Sequence, residues 1–172
     1  EQAAPAPKDP PKAATSKTTK AGGKPVSGPA RVGVAPLLKR AGELMDARKW
    51  DAAMAVYREA ASKAPSNAEA KLGLSTAESE RSVQDLYDGV SGTFKAGQVE
   101  EAWTKAGDFG NITANSAYYA QAMELQKAVS LDYAGKLFDQ AKAAFRSKRY
   151  VQAARMAGKV LKIAPDHAEA RA

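Results

Sequence analysis

The side chains that could carry out chemistry in this chain are carboxylates and a single histidine, because the sequence has no cysteine. Acidic residues close in sequence form three pairs: Asp85 with Asp88, Glu78 with Glu80, and Glu100 with Glu101. Catalysis by two carboxyl groups needs one of them desolvated and the other ionised across a cleft. These pairs lie among Ser, Gln and Lys residues, which favours a solvated surface, and His167 has no evident partner in the sequence. We therefore expect no enzyme, no metal site, no cofactor and no small-molecule substrate.

The charge of the chain is positive and unevenly distributed. The 172 residues include 26 Lys and Arg and 19 Asp and Glu, a formal net charge of +7. Residues 37–133 contain 11 basic and 14 acidic residues, whereas residues 134–172 contain 9 basic and 3 acidic ones. Lys142, Arg146 and Arg149 recur at helical spacing, which predicts one basic helix face. That face would either attract an acidic partner or be a solvated surface, since charged helix faces are common.

The elements that must position these residues are helices. Hydrophobic residues make up 44% of the chain, and 38 alanines supply about half of that fraction. Alanine has the highest helix propensity and allows helix axes to approach closely. No stretch reaches the roughly 18 uninterrupted apolar residues of a membrane-spanning helix. The composition thus predicts an all-α fold.

The first 36 residues differ in composition from the rest, because they hold seven of the nine prolines. They contain almost no bulky apolar side chains, so burial of apolar surface cannot offset the conformational entropy that the chain would lose on folding. We expect a disordered Ala/Pro/Lys-rich linker over residues 1–35 and a helical domain over residues 36–172. Such linkers often follow a cleaved signal peptide or a membrane anchor, which favours a periplasmic or envelope-associated location, with the cytoplasm as the alternative. Any membrane contact would then be a tether outside this chain.

Helical periodicity begins at Pro36. The apolar spacing predicts one helix over about 37–48 and a second from about Asp51 to the Ala64-Pro65 pair, which together form a helical hairpin. Ser66 and Glu69 match a capping box that would open a third helix. Between Ser75 and Ser82 the only apolar residue is Ala77, so we expect this stretch either to be exposed or to pack against a neighbour outside this chain.

The chain contains an internal repeat with an offset of 100 residues. The offset aligns Lys49-Trp50 with Arg149-Tyr150, and Ala53 with Ala153. It also aligns Ala64-Pro65 with Ala164-Pro165. These identities fall at turns and at small residues where helices pack, and such positions fix the geometry of a repeat. A chance match is therefore a poor explanation for the alignment.

At these positions the sequence resembles the tetratricopeptide-repeat family, with clear units at about 34–67 and 134–167. Trp50 and Tyr150 fit the aromatic residue that opens the second helix of the family's 34-residue unit. Ala53 and Ala153 fit the small residue at the helix crossing, and Pro65 and Pro165 close the units. The resemblance implies a short solenoid of about six helices, in which Trp50 and Tyr150 are core residues.

The stretch between the two units allows two interpretations. Two degenerate units would fit the length, with Trp103 and Gly107 resembling a first helix. The interpretation we favour is two lengthened central helices, over about 67–96 and 115–147, joined by a short helix at 99–107.

The resemblance also implies where a partner would bind, because peptide ligands of the family lie in the groove of first helices. The partner-binding candidates are Leu38, Met45, Phe138, Lys142, Phe145, Arg146 and Arg149. Of these, Arg149 follows the first helix of the unit at 134–167, and the others lie on first helices. Apolar residues with a basic end suit an acidic amphipathic segment of another protein.

We therefore expect a non-enzymatic protein-binding scaffold that is a component of a bacterial envelope or secretion-type assembly. The alternative is a basic module that docks on nucleic acid or an anionic membrane surface. Nucleic acid is disfavoured, since aromatic and basic residues do not interleave as a stacking platform requires.

Overall fold

The computed structural model describes residues 33–166 and residue 170, and this part of the chain is helical without any strand. Its six α-helices are α1 (Val34–Asp46), α2 (Trp50–Lys63), α3 (Ala68–Lys95), α4 (Val99–Ala106), α5 (Tyr119–Arg146) and α6 (Tyr150–Ile163). A 3₁₀ helix, Gly107–Asn111, follows α4. The predicted all-α fold of six helices with two long central ones is confirmed. Residues 1–32 of the predicted linker lie outside the described residues.

Helix α1 begins earlier than the sequence predicts. Gly33 is its N-cap and Val34 its first residue, so Pro36 is the third helical residue and not the first. A proline is tolerated there because the first N–H groups of a helix have no intrahelical acceptor. Residues 34 and 35, assigned to the linker from composition, therefore belong to the helix.

The cap of α3 also differs from the prediction. Asn67 is the N-cap, and its side-chain oxygen accepts a hydrogen bond from the backbone N–H of Ala70 at 2.8 Å. The capping box from Ser66 to Glu69 is therefore wrong by one residue. Asn and Ser are similarly favoured as N-cap residues, so residue type alone could not tell whether Ser66 or Asn67 caps the helix.

One turn geometry occurs three times and joins the helices into hairpins. In the first copy, the N–H of Arg48 donates to Met45 O and the N–H of Lys49 donates to Leu44 O, both at 2.9 Å. This pair of bonds is the Schellman motif, which places the residue after the C-cap in the left-handed region. The left-handed residues of the three turns are Arg48 (φ 54°), Gly97 (φ 77°) and Lys148 (φ 59°).

The repeat therefore has a middle copy, formed by the end of α3 and by α4. Its turn lies 49 residues after the first and 51 before the last, so the single offset of 100 residues did not reveal it. Helix α4 is the second helix of this hairpin and contains Trp103. The interpretation in which Trp103 belongs to the first helix of a degenerate unit is wrong.

Small residues allow α1, α2 and α3 to pack closely. Ala41, Ala53 and Ala77 have no exposed surface and lie in one core cluster. The expectation that the stretch around Ala77 is exposed is wrong at that residue. The closest approach is at Gly73, where an added Cβ would lie 2.3 Å from ring carbons of Tyr57. The backbone of α3 thus rests directly on the ring of Tyr57.

Two further clusters complete the core. The central cluster contains the fully buried Phe109, Val90 and Val129. The third cluster, Ala134, Leu137 and Val160, joins α5 to α6 and is small. The third hairpin therefore has fewer buried core residues than the first.

Candidate functional site

The third hairpin has an open cleft between the second half of α5 and the first half of α6. Its volume is about 550 Å³. The residues lining it are Phe138, Ala141, Lys142, Phe145, Arg146, Tyr150, Ala153, Ala154, Ala157 and Ala170. We call this surface the α5–α6 groove.

Two aromatic rings mark the end of the groove nearest the turn. Phe145 is 62% exposed and Tyr150 is 56% exposed. Their ring centroids lie 5.3 Å apart in an edge-to-face arrangement. Large apolar side chains normally avoid such exposure when they lie side by side, and adjoining exposed ones mark interaction surfaces. The two exposed rings are therefore a candidate contact surface for another molecule.

The α5 side of the groove is cationic. The Nζ atom of Lys142 lies 2.9 Å from Oδ1 of Asp139 and 4.8 Å from the centroid of the Phe138 ring. Arg146 lines the groove one turn later and forms no ion pair within the described part of the chain. Because the pair of Lys142 with Asp139 is solvent-exposed, it contributes little energy and can be exchanged for a partner's carboxylate.

The structure brings together four of the seven predicted partner-binding residues: Phe138, Lys142, Phe145 and Arg146. Arg149 does not join them. Helix α5 ends at Arg146, so Arg149 lies beyond the turn as the N-cap of α6 and does not continue a basic face of α5. It lines a separate depression with Lys148, Val151 and Arg155.

The remaining two candidates, Leu38 and Met45, belong to α1. Both are half-buried and pack against the core cluster of the first hairpin. Leu38 also lines a shallow cleft that contains Asp46 and Glu69. The two ends of the predicted binding surface therefore lie on different hairpins and have opposite charge.

The groove has a counterpart in the first hairpin, and there it is covered. Tyr57 is only 8% exposed because α3 packs across α1 and α2, and Trp50 is only 4% exposed and contacts Tyr118 in the loop before α5. The corresponding residues of the third hairpin are Tyr150, which is exposed, and Ala157, which is half-buried. The same face is thus core in one hairpin and surface in the other.

Tyr150 is the functional candidate that the sequence reasoning missed. The resemblance assigned it to the core, and its exposure shows that this assignment is wrong. The available signal was Ala157, which stands where the first unit has Tyr57 and leaves room beside the groove. The exposure itself depends on which segment packs over the ring, as the loop before α5 does over Trp50, and the sequence of the hairpin does not contain that information.

Most members of the acidic pairs have structural partners in the described residues. The carboxylate of Glu80 accepts hydrogen bonds from Ser116 Oγ at 3.0 Å and from the backbone N–H of Ala117 at 3.1 Å. These bonds fix the loop before α5, where Tyr118 also contacts Trp50. Glu80 was expected on a solvated face, and that expectation is wrong because the loop folds back onto α3.

Three other carboxylates of these pairs, those of Glu78, Asp85 and Glu101, take part in surface ion pairs. Arg81 pairs with Asp85 and with Asp51, and Lys105 with Glu101 at 2.7 Å. The hydrogen bond that the Arg81 guanidinium donates to the Asp85 carboxylate is the main cause that raises the pKa of Arg81, which stays charged in any case. Among the described residues no group of three or more His, Cys, Asp or Glu could hold a metal ion.

The described chain is, in class, an all-α protein of three linked hairpins with an apolar and cationic groove at the last one. Its helices, so far as they are described, include none that is long and apolar enough to cross a membrane. Comparison with protein-family models, with curated proteins and with solved structures finds no match.

Proposed function

We propose that this protein is a non-enzymatic scaffold that binds other proteins through the α5–α6 groove. The observation that carries the proposal is the pair of exposed rings, Phe145 and Tyr150, beside the cations Lys142 and Arg146. Aromatic and Arg side chains are the residue types enriched at the centres of protein interfaces.

The tetratricopeptide-like nature of the scaffold is part of this proposal. Three hairpins closed by the same Schellman turn, with small residues such as Ala53 and Ala153 at the crossings, support it. Repeated hairpins that stack on their neighbours build extended binding surfaces.

The proposed setting is a bacterial envelope or secretion-type assembly, with the Ala/Pro/Lys-rich residues 1–32 as a spacer. The support for it is compositional. Cell fractionation of the native organism would test this location. Recovery of the protein with cytoplasmic markers would contradict the envelope and favour the cytoplasm.

The test of the groove is a charge reversal with a matched control. Lys142→Glu with Arg146→Glu changes the charge of the groove, whereas Lys159→Glu with Lys162→Glu changes exposed positions of α6 outside it by the same amount. Quantitative crosslinking in the native organism should show that the groove variant loses its partners and that the control keeps them. Equal loss, or loss in the control alone, would contradict the proposal.

A basic surface beside the groove supports the second candidate function. Lys148, Arg149 and Arg155 line one depression and could contact phosphates. Binding of bulk DNA or anionic vesicles that collapses between low and moderate salt, and that is lost on reversal of these three residues, would favour this alternative.

A further inference from the structure

The turn between α5 and α6 and the first residues of α6 form a basic depression next to the α5–α6 groove. Its volume is about 610 Å³. Tyr150 lines both surfaces, but its counterparts in the other hairpins, Trp50 and Val99, are buried. The other lining residues form what we call the α6 turn patch: Lys148, Arg149, Val151, Gln152 and Arg155.

The face that carries the patch is exposed in all three hairpins. Its first copy lies 100 residues earlier and consists of five exposed residues, Arg48, Lys49, Asp51, Ala52 and Ala55. The residues of the middle copy are exposed as well: Gly97, Gln98, Glu100, Glu101 and Thr104.

A helix that packs across a hairpin leaves this face open. Helix α3 packs on α1 and α2, yet Asp51, which pairs with Arg81 of α3, keeps 75% of its side chain exposed. Helix α5 packs on α4, yet Glu100 and Glu101 are exposed. A segment that packs on the third hairpin in the same way would therefore leave the α6 turn patch accessible.

The charge of the face differs among the three hairpins. In the first copy two cations are accompanied by Asp51, and in the second the charged residues are the acids Glu100 and Glu101. In the third copy Val151 stands at the position of Asp51 and Glu100, and all the charged residues are cations. The first turn of α6 contains no acidic residue, whereas the first turns of α2 and α4 do. Among the three hairpins, the last one thus presents cations on this face without a counter-charge.

The three cations of the patch are available to an external anion. Within the described part of the chain, the side chains of Lys148, Arg149 and Arg155 form no ion pair. Arg149 is the N-cap of α6, but its side chain makes no capping hydrogen bond. Like charges around one depression raise the local potential, which attracts anions.

Val151 adds an apolar side chain beside these cations. It is 87% exposed, the largest fraction among the exposed large hydrophobic residues of the described chain. Protein surfaces that lie on anionic membranes combine such groups, because apolar side chains enter the boundary of the acyl chains while Lys and Arg meet the headgroups.

Nucleic acid accounts for these observations less well. Contacts with a phosphate backbone use the cations but give no role to an exposed valine. The ring at this depression, that of Tyr150, lies edge-to-face with Phe145, whereas binding of single strands relies on rings on which bases can stack. The residues of the patch therefore favour a lipid surface.

We propose that the α6 turn patch docks the protein on an anionic lipid surface, which rests on the second candidate function and names its ligand class. Lys148, Arg149 and Arg155 bind headgroup phosphates, and Val151 enters the boundary between headgroups and acyl chains. This is a membrane contact within the chain, where composition alone suggested a tether outside it. The contact weakens with salt, because the attraction to the headgroups falls off within a Debye length.

Co-sedimentation of the 172-residue protein with lipid vesicles would test the role of the cations. The vesicles would be phosphatidylglycerol mixed with phosphatidylcholine, and phosphatidylcholine alone as the neutral reference. The patch variant combines Lys148→Gln, Arg149→Gln and Arg155→Gln. The matched control combines Lys127→Gln, Lys159→Gln and Lys162→Gln, which removes three exposed cations that do not line the depression.

We expect the patch variant to lose about a hundredfold in affinity for the anionic vesicles, at about fivefold for each cation. The control should lose no more than about threefold, because its charges lie farther from the docked surface and are screened. Circular dichroism would verify that both variants are folded. Equal losses in the two variants, or equal binding of the unsubstituted protein to neutral vesicles, would overturn the proposal.

A second pair of variants tests the apolar contact. Val151→Ser should weaken binding to anionic vesicles about fivefold, because less apolar surface enters the membrane. Leu72→Ser is the control, since Leu72 is 70% exposed on α3 and does not line the depression. Unchanged vesicle binding by the Val151→Ser protein would overturn the insertion of Val151.

A DNA duplex and inorganic phosphate distinguish the other sources of phosphate. If DNA binds through the three cations while anionic vesicles do not bind, the patch is a nucleic-acid site and the proposal is wrong. Inorganic phosphate should release no more protein from vesicles than sodium chloride of equal ionic strength. Selective release by phosphate would identify a site for the free anion and would also overturn the lipid assignment.

This proposal and the scaffold function can fail separately, because Lys142 and Arg146 line the groove and not the depression. If anionic vesicles do not bind but the Lys142→Glu, Arg146→Glu protein loses its native partners, the scaffold function stands and the lipid contact is wrong. If vesicles bind through the patch while that groove variant keeps its partners, the lipid contact stands and the groove is not the scaffold site.

Discussion

Trp50 and Tyr150 occupy the same position in two hairpins, 100 residues apart, yet Trp50 is 4% exposed and Tyr150 is 56% exposed. Each is the first residue of a second helix, after the same Schellman turn. Trp50 is covered by the loop before α5, where its indole N–H lies 3.5 Å from the Tyr118 hydroxyl. The aromatic residue is thus a core element in one hairpin and an available contact in the other.

This difference predicts different costs of truncation. Trp50→Ala should lower the free energy of unfolding by about 3–5 kcal/mol, because a buried ring is lost. Tyr150→Ala should cost no more than about 1.5 kcal/mol, the scale of its edge-to-face contact with Phe145. Denaturant unfolding followed by circular dichroism would measure both, and equal costs would contradict the assigned burial.

Gly73 should tolerate no side chain while Tyr57 is present. Gly73→Ala places a Cβ against the ring and should destabilise the protein by about 1–3 kcal/mol through overpacking. Combining it with Tyr57→Leu should cost less than the sum of the two single changes, because the clash is removed. Additive costs in this double-mutant cycle would show that Gly73 does not pack on Tyr57.

Overpacking should also distinguish the crossing alanines from surface ones. Ala53→Leu and Ala77→Leu insert three carbons into fully buried positions and should each cost about 1–3 kcal/mol. Ala143→Leu on the exposed face of α5 should change stability by no more than about 0.5 kcal/mol. Thermal unfolding of the three variants would reveal the difference, and a destabilised Ala143→Leu would be the contrary result.

The left-handed turn residues predict a stabilising substitution. Lys148 has φ 59° and its side chain bears a steric cost that glycine does not. Lys148→Gly should therefore raise the free energy of unfolding by about 0.5 kcal/mol after the larger entropy of the unfolded glycine is deducted. In the middle turn, Gly97→Ala should lower it by about 1 kcal/mol, and a gain at Gly97 would contradict the turn geometry.

Alkaline pH should weaken the first hairpin through Tyr57. Burial, and then the nearby carboxylates of Glu69 and Asp46, raise the pKa of Tyr57 above its ordinary value. The unfolded chain therefore loses this proton first, so the contribution to stability is intact below about pH 10 and falls as pH rises through the raised pKa. Tyr57→Phe should flatten the decline of unfolding free energy above about pH 10, and an unchanged slope would exclude Tyr57 as its source.

The sequence by itself determined the elements of the fold. Alanine content and apolar spacing predicted the helices, including the two long ones, because periodicity of 3.6 residues is a local property. The offset of 100 residues located two of the three hairpins, since their turns share the residue types that fix a turn. The third turn was missed because it has a different offset and uses Gly97 where the others use a basic residue.

Only the tertiary structure decided which faces are covered. The local pattern does not distinguish the position of Trp50 from that of Tyr150, or exposed Ala143 from buried Ala77, because burial depends on the helix or loop that packs across each face. The sequence placed Phe138, Lys142, Phe145 and Arg146 on one helix, but only packing of α6 formed them into a groove with Tyr150. Arg149 was separated from them because α5 ends three residues earlier, where the Schellman turn redirects the chain.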